Sequence, residues 1–267
     1  MIKSKSMKPG VFKAVKKDGT EYYRSSITHK KKHISLGSFS TEKEAFLCYK
    51  EASKILCSKG SIEKLLIKLK YLSFEKAVTL LNFRDNDIYI KTPVYLTPGL
   101  LCYYLSPEEV YIFAPEDLFY FSTHRIIKRG GHLYINDYGS QYNLLNRYGI
   151  KNYAVEGRDY EFANGDNHDF RYENIIIKSH YHGVRPISKD GILKYQTVLH
   201  LVGNHKIGTY STEEKAAIAY NKACDFARDK GFKKEFIQNF VENVSPRDYA
   251  EIYSKVRLPK RFTEAFK

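Results

Sequence analysis

Residues 36–52 read LGSFSTEKEAFLCYKEA, and residues 207–223 read IGTYSTEEKAAIAYNKA. At one constant offset of 171, Gly37 falls on Gly208, Ser40-Thr41-Glu42 on Ser211-Thr212-Glu213, Ala45 on Ala216, Tyr49 on Tyr220 and Ala52 on Ala223. Seven ungapped identities in seventeen positions mark two copies of one module. The preceding segments match with one-residue gaps: both begin Gly-Val (Gly10-Val11, Gly183-Val184) and carry Lys-Asp-Gly (Lys17-Asp18-Gly19, Lys189-Asp190-Gly191). Asp-Gly between β-prone runs is a hairpin signal. Residues 22–27 and 194–199 have the Tyr, Thr, Ile and Val content of strands. Thr41 with Glu44, and Thr212 with Glu213 and Glu214, then open a helix by capping its first amides and meeting its dipole with acid. In the second copy Ala216, Ala219, Tyr220, Ala223 and Phe226 share one helix face, a stripe suited to packing on the sheet.

Three short strands and an alanine-rich helix, opening Gly-Val and closing G-x-[FY]-x-T-x-E-x-A-x-x-x-Y-x-x-A, with Lys43 at the glutamate position of the first copy, resemble the APETALA-two (ethylene-response-factor) DNA-binding domain over residues 8–58 and 180–230. The second copy matches more specifically, since Tyr181-His182-Gly183-Val184-Arg185 follows the family's opening and sets Arg185 on its DNA-facing arginine. Both copies depart at the strand tryptophan, replaced by Tyr23 and Tyr195. In that family the sheet enters the major groove. The resemblance therefore implies DNA contacts from Lys13, Lys16, Tyr23, Arg24 and Lys32 in the first copy, and from Arg185, Lys189, Lys194, Tyr195, Gln196 and Lys206 in the second. Arg and Gln can address guanine and adenine edges, while most lysines hold phosphates.

Composition points the same way. Lys and Arg number 44 against 30 Asp and Glu, for a formal net charge of +14. Residues 1–33 hold ten basic side chains and two acidic ones, so 10 − 2 = +8 of the charge sits there. A field concentrated in this way suits a polyanion such as nucleic acid. The four cysteines are scattered with no C-x-x-C pair, which favours reduced thiols over a zinc site or disulfide framework. No apolar run is long enough for a membrane span, and no signal peptide is expected. The expected location is the cytoplasm of a bacterial host cell, at the nucleoid.

Between the copies, residues 61–82 read as helical, with Ile62, Leu65, Leu66 and Leu69 on one face, and Ser106-Pro107-Glu108-Glu109 reads as a second helix start. From about residue 115 short strands lead into YEFANGDNHDFRYENI (residues 160–175). This resembles the phage and intron-type HNH endonucleases and their pattern V-D-H-x-N-G-x-x-x-D-N-R-x-x-N-L. Asn164, Gly165, Asp166, Asp169, Arg171, Glu173 and Asn174 fall in place without a gap. The reactive positions differ. Glu161 stands at the metal-holding aspartate, Phe162 at the general-base histidine, Asn174 at the second metal contact, and Asn146 at the histidine of Leu-His-Arg. Phe162 cannot accept a proton, and losing a general base costs ~10² to 10⁴ in rate. His168, six residues on in the motif's turn, is the candidate substitute base, but its backbone vector is different.

The sequence thus predicts an α+β, multidomain protein. Its parts are an APETALA-two-like module (1–58), a helical connector (59–114), a degenerate ββα-metal HNH-like domain (115–179), a second such module (180–232) and a C-terminal helical basic tail (233–267). The expected function is sequence-specific binding of double-stranded DNA by a protein derived from a mobile-element or phage homing endonuclease that has lost catalysis, acting as a transcriptional repressor or site competitor. No membrane or small-molecule partner and no cofactor are expected. The alternative is an active homing or nicking endonuclease, for which Glu161 and Asn174 offer oxygen ligands to Mg²⁺. A structural or RNA-associated basic protein is a further alternative.

Overall fold

The computed structural model describes residues 8–66, 69–137, 139–152 and 154–266, with the side chains of 63, 137 and 189 outside the description. Contacts divide the chain into two compact units: the described residues up to Leu144 with Asp166–Asn174, and Leu145–Gly165 with the described residues from Ile175 onward.

In the first unit β1 (Val11–Val15), β2 (Glu21–His29) and β3 (Lys32–Phe39) form an antiparallel meander. Strand alternation turns Val11, Ile27, Ile34 and Leu36 to one face, where α1 (Glu42–Cys57) covers them with Ala45, Cys48, Ala52 and Ile55. The helix begins where the sequence predicts, for a local reason. Thr41 Oγ1 accepts the Glu44 amide at 3.2 Å, and the Glu44 carboxylate accepts the Thr41 amide at 3.2 Å. At its far end the Arg84 guanidinium donates to the carbonyls of Ile55, Ser58 and Gly60, each at 3.1 Å, satisfying acceptors that the helix leaves open.

The predicted helix over residues 61–82 is two helices, α2 (Ile62–Leu66) and α3 (Phe74–Asn86). The break has a cause: the Glu51 carboxylate accepts the backbone amides of Lys70, Tyr71 and Leu72 at 3.1, 3.0 and 2.8 Å, and Ser73 caps a new helix through the Lys76 amide. The helical connector predicted for 59–114 also fails beyond α3, because β4 (Val94–Thr97), β5 (Leu100–Tyr104) and β6 (Val110–Phe113) form a second antiparallel meander. Ser106 does cap, accepting the amides of Glu108 (3.3 Å) and Glu109 (3.1 Å), but it closes the β5–β6 turn. The residues that follow, Val-Tyr-Ile-Phe, pair with β5 instead of coiling. A short helix, α4 (Leu118–Phe121), precedes a third meander of β7 (Ile126–Arg129), β8 (His132–Asp137) and β9 (Ser140–Asn143).

The second unit contains the two-stranded pair β10 (Tyr160–Phe162) and β11 (Ile175–Ile177), then β12 (Val184–Lys189), β13 (Ile192–His200), β14 (Asn204–Tyr210) and α5 (Glu213–Asp229). The meander-plus-helix thus occurs twice, with a register shift at the same place in each copy, Ser25/Ser26 and Thr197/Val198. The opening glycine is also shared. Gly10 (φ 72°) and Gly183 (φ 68°) are left-handed, and an added Cβ would lie 2.1 Å from the Tyr49 ring and 2.2 Å from the Tyr220 ring. The aligned glycines and tyrosines are therefore one packing device.

The segment predicted as a C-terminal helical tail is instead part of the core. After an irregular stretch, α6 (Pro246–Lys255) and α7 (Lys260–Thr263) bury Val256 and Phe262 in the cluster built on Ala219, Ala223 and Ala227. Lys222 Nζ caps this end, donating to the carbonyls of Tyr253 (2.6 Å) and Val256 (2.8 Å). Asn239 is clipped to α5: its amide donates to Asn221 Oδ1 (2.7 Å) and its carbonyl accepts from Asn221 Nδ2 (2.8 Å). The protein is α+β, with several small antiparallel three-stranded sheets and helices. Among the described residues no helix is long and apolar enough to cross a membrane.

Candidate nucleic-acid interface

The second sheet has one face on α5 and one turned away from it, and pairing register decides which residues share a face. Val184 pairs with Thr197, both buried, and Thr197 Oγ1 donates to the Ala216 carbonyl at 2.8 Å. That row fixes the helix side. One residue on, Arg185 pairs with Gln196 and Gln196 with Thr209, so these three form a row on the opposite face. Ile187 beside Lys194, and Val198 beside Lys206, extend the same face along the strands. Arg185, Lys194, Gln196 and Lys206 are therefore brought together, half-buried at the sheet surface except for the exposed Lys206. The Lys189 backbone pairs with Ile192, and its side chain lies outside the described residues.

Tyr195 does not join them. It pairs with Pro186 and Tyr210 on the helix side and packs against Val184, Ala216 and Ala217. Tyr23 takes the same side in the first module, two residues from the buried Ser25. The family's tryptophan position, carried over by alignment, thus lands on the helix side of both sheets.

The first module also separates its predicted cations. Arg24 is on the face turned away from α1, in a row with Phe12 and Ser38. Its Nε and Nη2 donate to the Tyr22 hydroxyl at 3.1 and 2.7 Å, with the guanidinium 5.5 Å from the Tyr22 ring centroid. Lys13 and Lys32 have the opposite parity. Lys13 pairs with Tyr23 and forms an ion pair with Glu21 at 2.6 Å, which holds its ammonium above the ordinary lysine range. Lys32 lies over the Tyr89 ring at 5.3 Å. Lys16 is in the β1–β2 turn, its amide bonded to the Thr20 carbonyl. Among the described residues, the predicted cations of the first module thus do not gather on one sheet face.

At the nuclease-like positions the side chains of Phe162, Glu161 and Asn174 are committed elsewhere. Phe162 is buried, paired with Ile175 in the strand ladder and edge-on to Tyr160 at 5.9 Å. The Glu161 carboxylate forms an ion pair with Lys178. Asn146 is exposed in a 3-10 turn, its carbonyl accepting the Gly149 amide. Those residues belong to the second unit; Asn174 belongs to the first, buried, with Nδ2 donating to the Asp169 carbonyl at 2.8 Å. The buried Asp169 carboxylate takes the Arg171 fork, Nε to Oδ1 at 2.9 Å and Nη2 to Oδ2 at 2.6 Å. His168 stacks on Tyr111 at 4.9 Å, with Nδ1 3.6 Å from Asp166. Among the described residues no group of three or more His, Cys, Asp or Glu side chains is gathered as metal ligands. Glu161, the one carboxylate that the resemblance would give to a metal, is paired with Lys178, and Asn174 Nδ2 is spent on the Asp169 carbonyl, so the residues present fit Mg²⁺ poorly.

Two residues on the sheet faces escape sequence reasoning. Tyr22, which holds Arg24, and Phe12, directly across from it, are recognisable only once the two-residue strand period is combined with the register. No family model, curated protein or solved structure matches this chain.

Proposed function

We propose that this chain is a sequence-specific double-stranded DNA-binding protein whose reading surface is the face of the β12–β13–β14 sheet turned away from α5. One observation carries the reading: Arg185 and Gln196 stand side by side in register, with Lys194 and Lys206 on the same face. Arginine pairs bidentately with guanine and glutamine with adenine, while flanking lysines neutralise phosphates. Three- to four-residue readers on a sheet are an established way into a groove.

The nuclease resemblance enters as ancestry. With phenylalanine at the base position and Glu161 held by Lys178, the chain binds DNA and does not cut it, and it acts as a repressor or competitor by occupying its site. A random-sequence duplex selection with purified protein, followed by anisotropy titration, tests this. The selected site is expected to bind with Kd of about 10⁻⁸ to 10⁻¹¹ M. Arg185→Ala or Gln196→Ala should weaken it by about 5- to 150-fold and relax specificity at one base pair. Lys206→Ala should lower the salt slope by about 1. Equal binding of every duplex at physiological salt sinks the proposal. Nicking of a site-bearing plasmid in Mg²⁺ or Mn²⁺ that Glu161→Ala abolishes would overturn the loss of catalysis.

A further inference from the structure

The two modules share a scaffold and differ on the sheet face turned from the helix. Along the paired strands Phe12 stands where the second module has Arg185, Tyr22 where it has Lys194, and Ser35 where it has Lys206. Cations that suit duplex edges and phosphates thus give way to two aromatic rings and a hydroxyl.

Phe12 is 54% exposed. Its neighbours on that face are small, Ala14 on its own strand and Ser26 and Ser38 on the next ones, apart from Arg24 directly across. The Arg24 guanidinium is fixed by two bonds to the Tyr22 hydroxyl, so the residue paired with Phe12 across the strands presents a second planar group with its orientation already set. Exposed lysines flank the platform at both hairpin turns, Lys16 and Lys17 at one and Lys31 at the other.

In a duplex the faces of the bases are hidden in the stack and only their edges can be read. A protruding ring beside a held guanidinium does not read edges; it offers stacking surface to an unpaired base. We propose that this face of the first sheet binds single-stranded nucleic acid, with one base stacked on Phe12, another on the Arg24–Tyr22 pair, and phosphates directed to the turn lysines. The second sheet's duplex reading is neither required by this site nor tested by its failure.

The test uses the full chain. Fluorescein-labelled oligothymidylate and oligouridylate of about 12 nucleotides, within the ~4–16 nucleotide span of sheet-based single-strand sites, are titrated beside a duplex of equal length, with anisotropy as readout. Both single strands are expected to bind. Phe12→Ala and Phe12→Leu should each weaken single-strand binding by about 5- to 150-fold, whereas Phe12→Tyr keeps the stacking face and the affinity. Loss in the leucine variant, which remains apolar and folded by circular dichroism, separates stacking from damage to the fold. The proposal is overturned if single strands do not bind, if both variants lose less than about twofold, or if Phe12→Ala weakens duplex and single strand equally.

Discussion

Gly183→Ala is expected to be the most damaging single-methyl change in the second module. The residue is left-handed at φ 68°, and its carbonyl accepts the Val198 amide at 2.7 Å, which fixes the backbone there. A Cβ would lie 2.2 Å from the Tyr220 ring and 2.6 Å from the Val198 carbonyl oxygen. The left-handed conformation costs an alanine about 1–2 kcal/mol, and overpacking against a ring adds about 1–3 kcal/mol. The sum, about 2–5 kcal/mol, is a large share of the ~5–15 kcal/mol that holds a typical domain. Tyr220→Ala alone removes a buried ring and costs about 3–5 kcal/mol, by analogy with other aromatic truncations. In the double variant the ring clash is gone while the φ strain and the Val198 contact persist, so its cost should fall about 1–3 kcal/mol below the sum of the singles. Native-state hydrogen exchange of the β13 amides reads this module separately, whereas a global melt would mix two compact units. Unchanged β13 exchange in Gly183→Ala, or strict additivity in the double variant, would refute the reasoning. Gly10→Ala with Tyr49→Ala repeats the experiment in the first module.

Other outcomes follow from single contacts. Asn221→Ala removes the partners of the buried Asn239 amide and carbonyl and should cost about 2–5 kcal/mol, seen as faster exchange in α5 and in the segment around Asn239. Burial, with Lys151 nearby, lowers the His182 pKa to about 4 from its ordinary 6.5. The unfolded chain therefore takes up the proton first as pH falls, so this stabilisation is complete above pH 6.5 and lost between there and pH 4. The difference in urea midpoint between wild type and His182→Gln should shrink across that window; a constant difference contradicts the assignment. Glu51→Gln, which weakens the acceptor for three amides, should loosen the chain between α2 and α3, read as exchange at Lys70, Tyr71 and Leu72.

What could be read in the sequence was local. The Thr41 and Thr212 caps and the helices they open are short-range chemistry repeated at a fixed offset, the strand runs before them repeat with one-residue gaps, and repetition exposes both. Ser106-Pro107-Glu108-Glu109 shows the limit of such signals, because the same capping chemistry opens a helix or closes a hairpin turn, and Val110–Phe113 decide between them by pairing with β5. The break at residues 70–72 depends on Glu51, many residues away in the chain. Sheet faces were harder still. Parity along a strand is legible, but which parity faces the helix is set by the rows Val11–Ser25 and Val184–Thr197, and these are tertiary facts. Grouping Lys13, Lys32, Tyr23 and Tyr195 with Arg24 and Arg185 from sequence alone therefore joins residues that lie on opposite sheet faces.

The chain leaves its first compact unit after Leu144 and re-enters it for Asp166–Asn174 alone, where His168 and Phe170 exchange hydrogen bonds with Ile112 and Phe170 stacks on Phe113. No single backbone cut therefore separates the units. A fragment ending at residue 144 would lack the strand-like partner of Ile112, and a fragment beginning at 145 would carry Phe170 and the Asp169–Arg171 pair away from their setting. A cut at 144/145 thus divides the first unit's own contacts between two fragments.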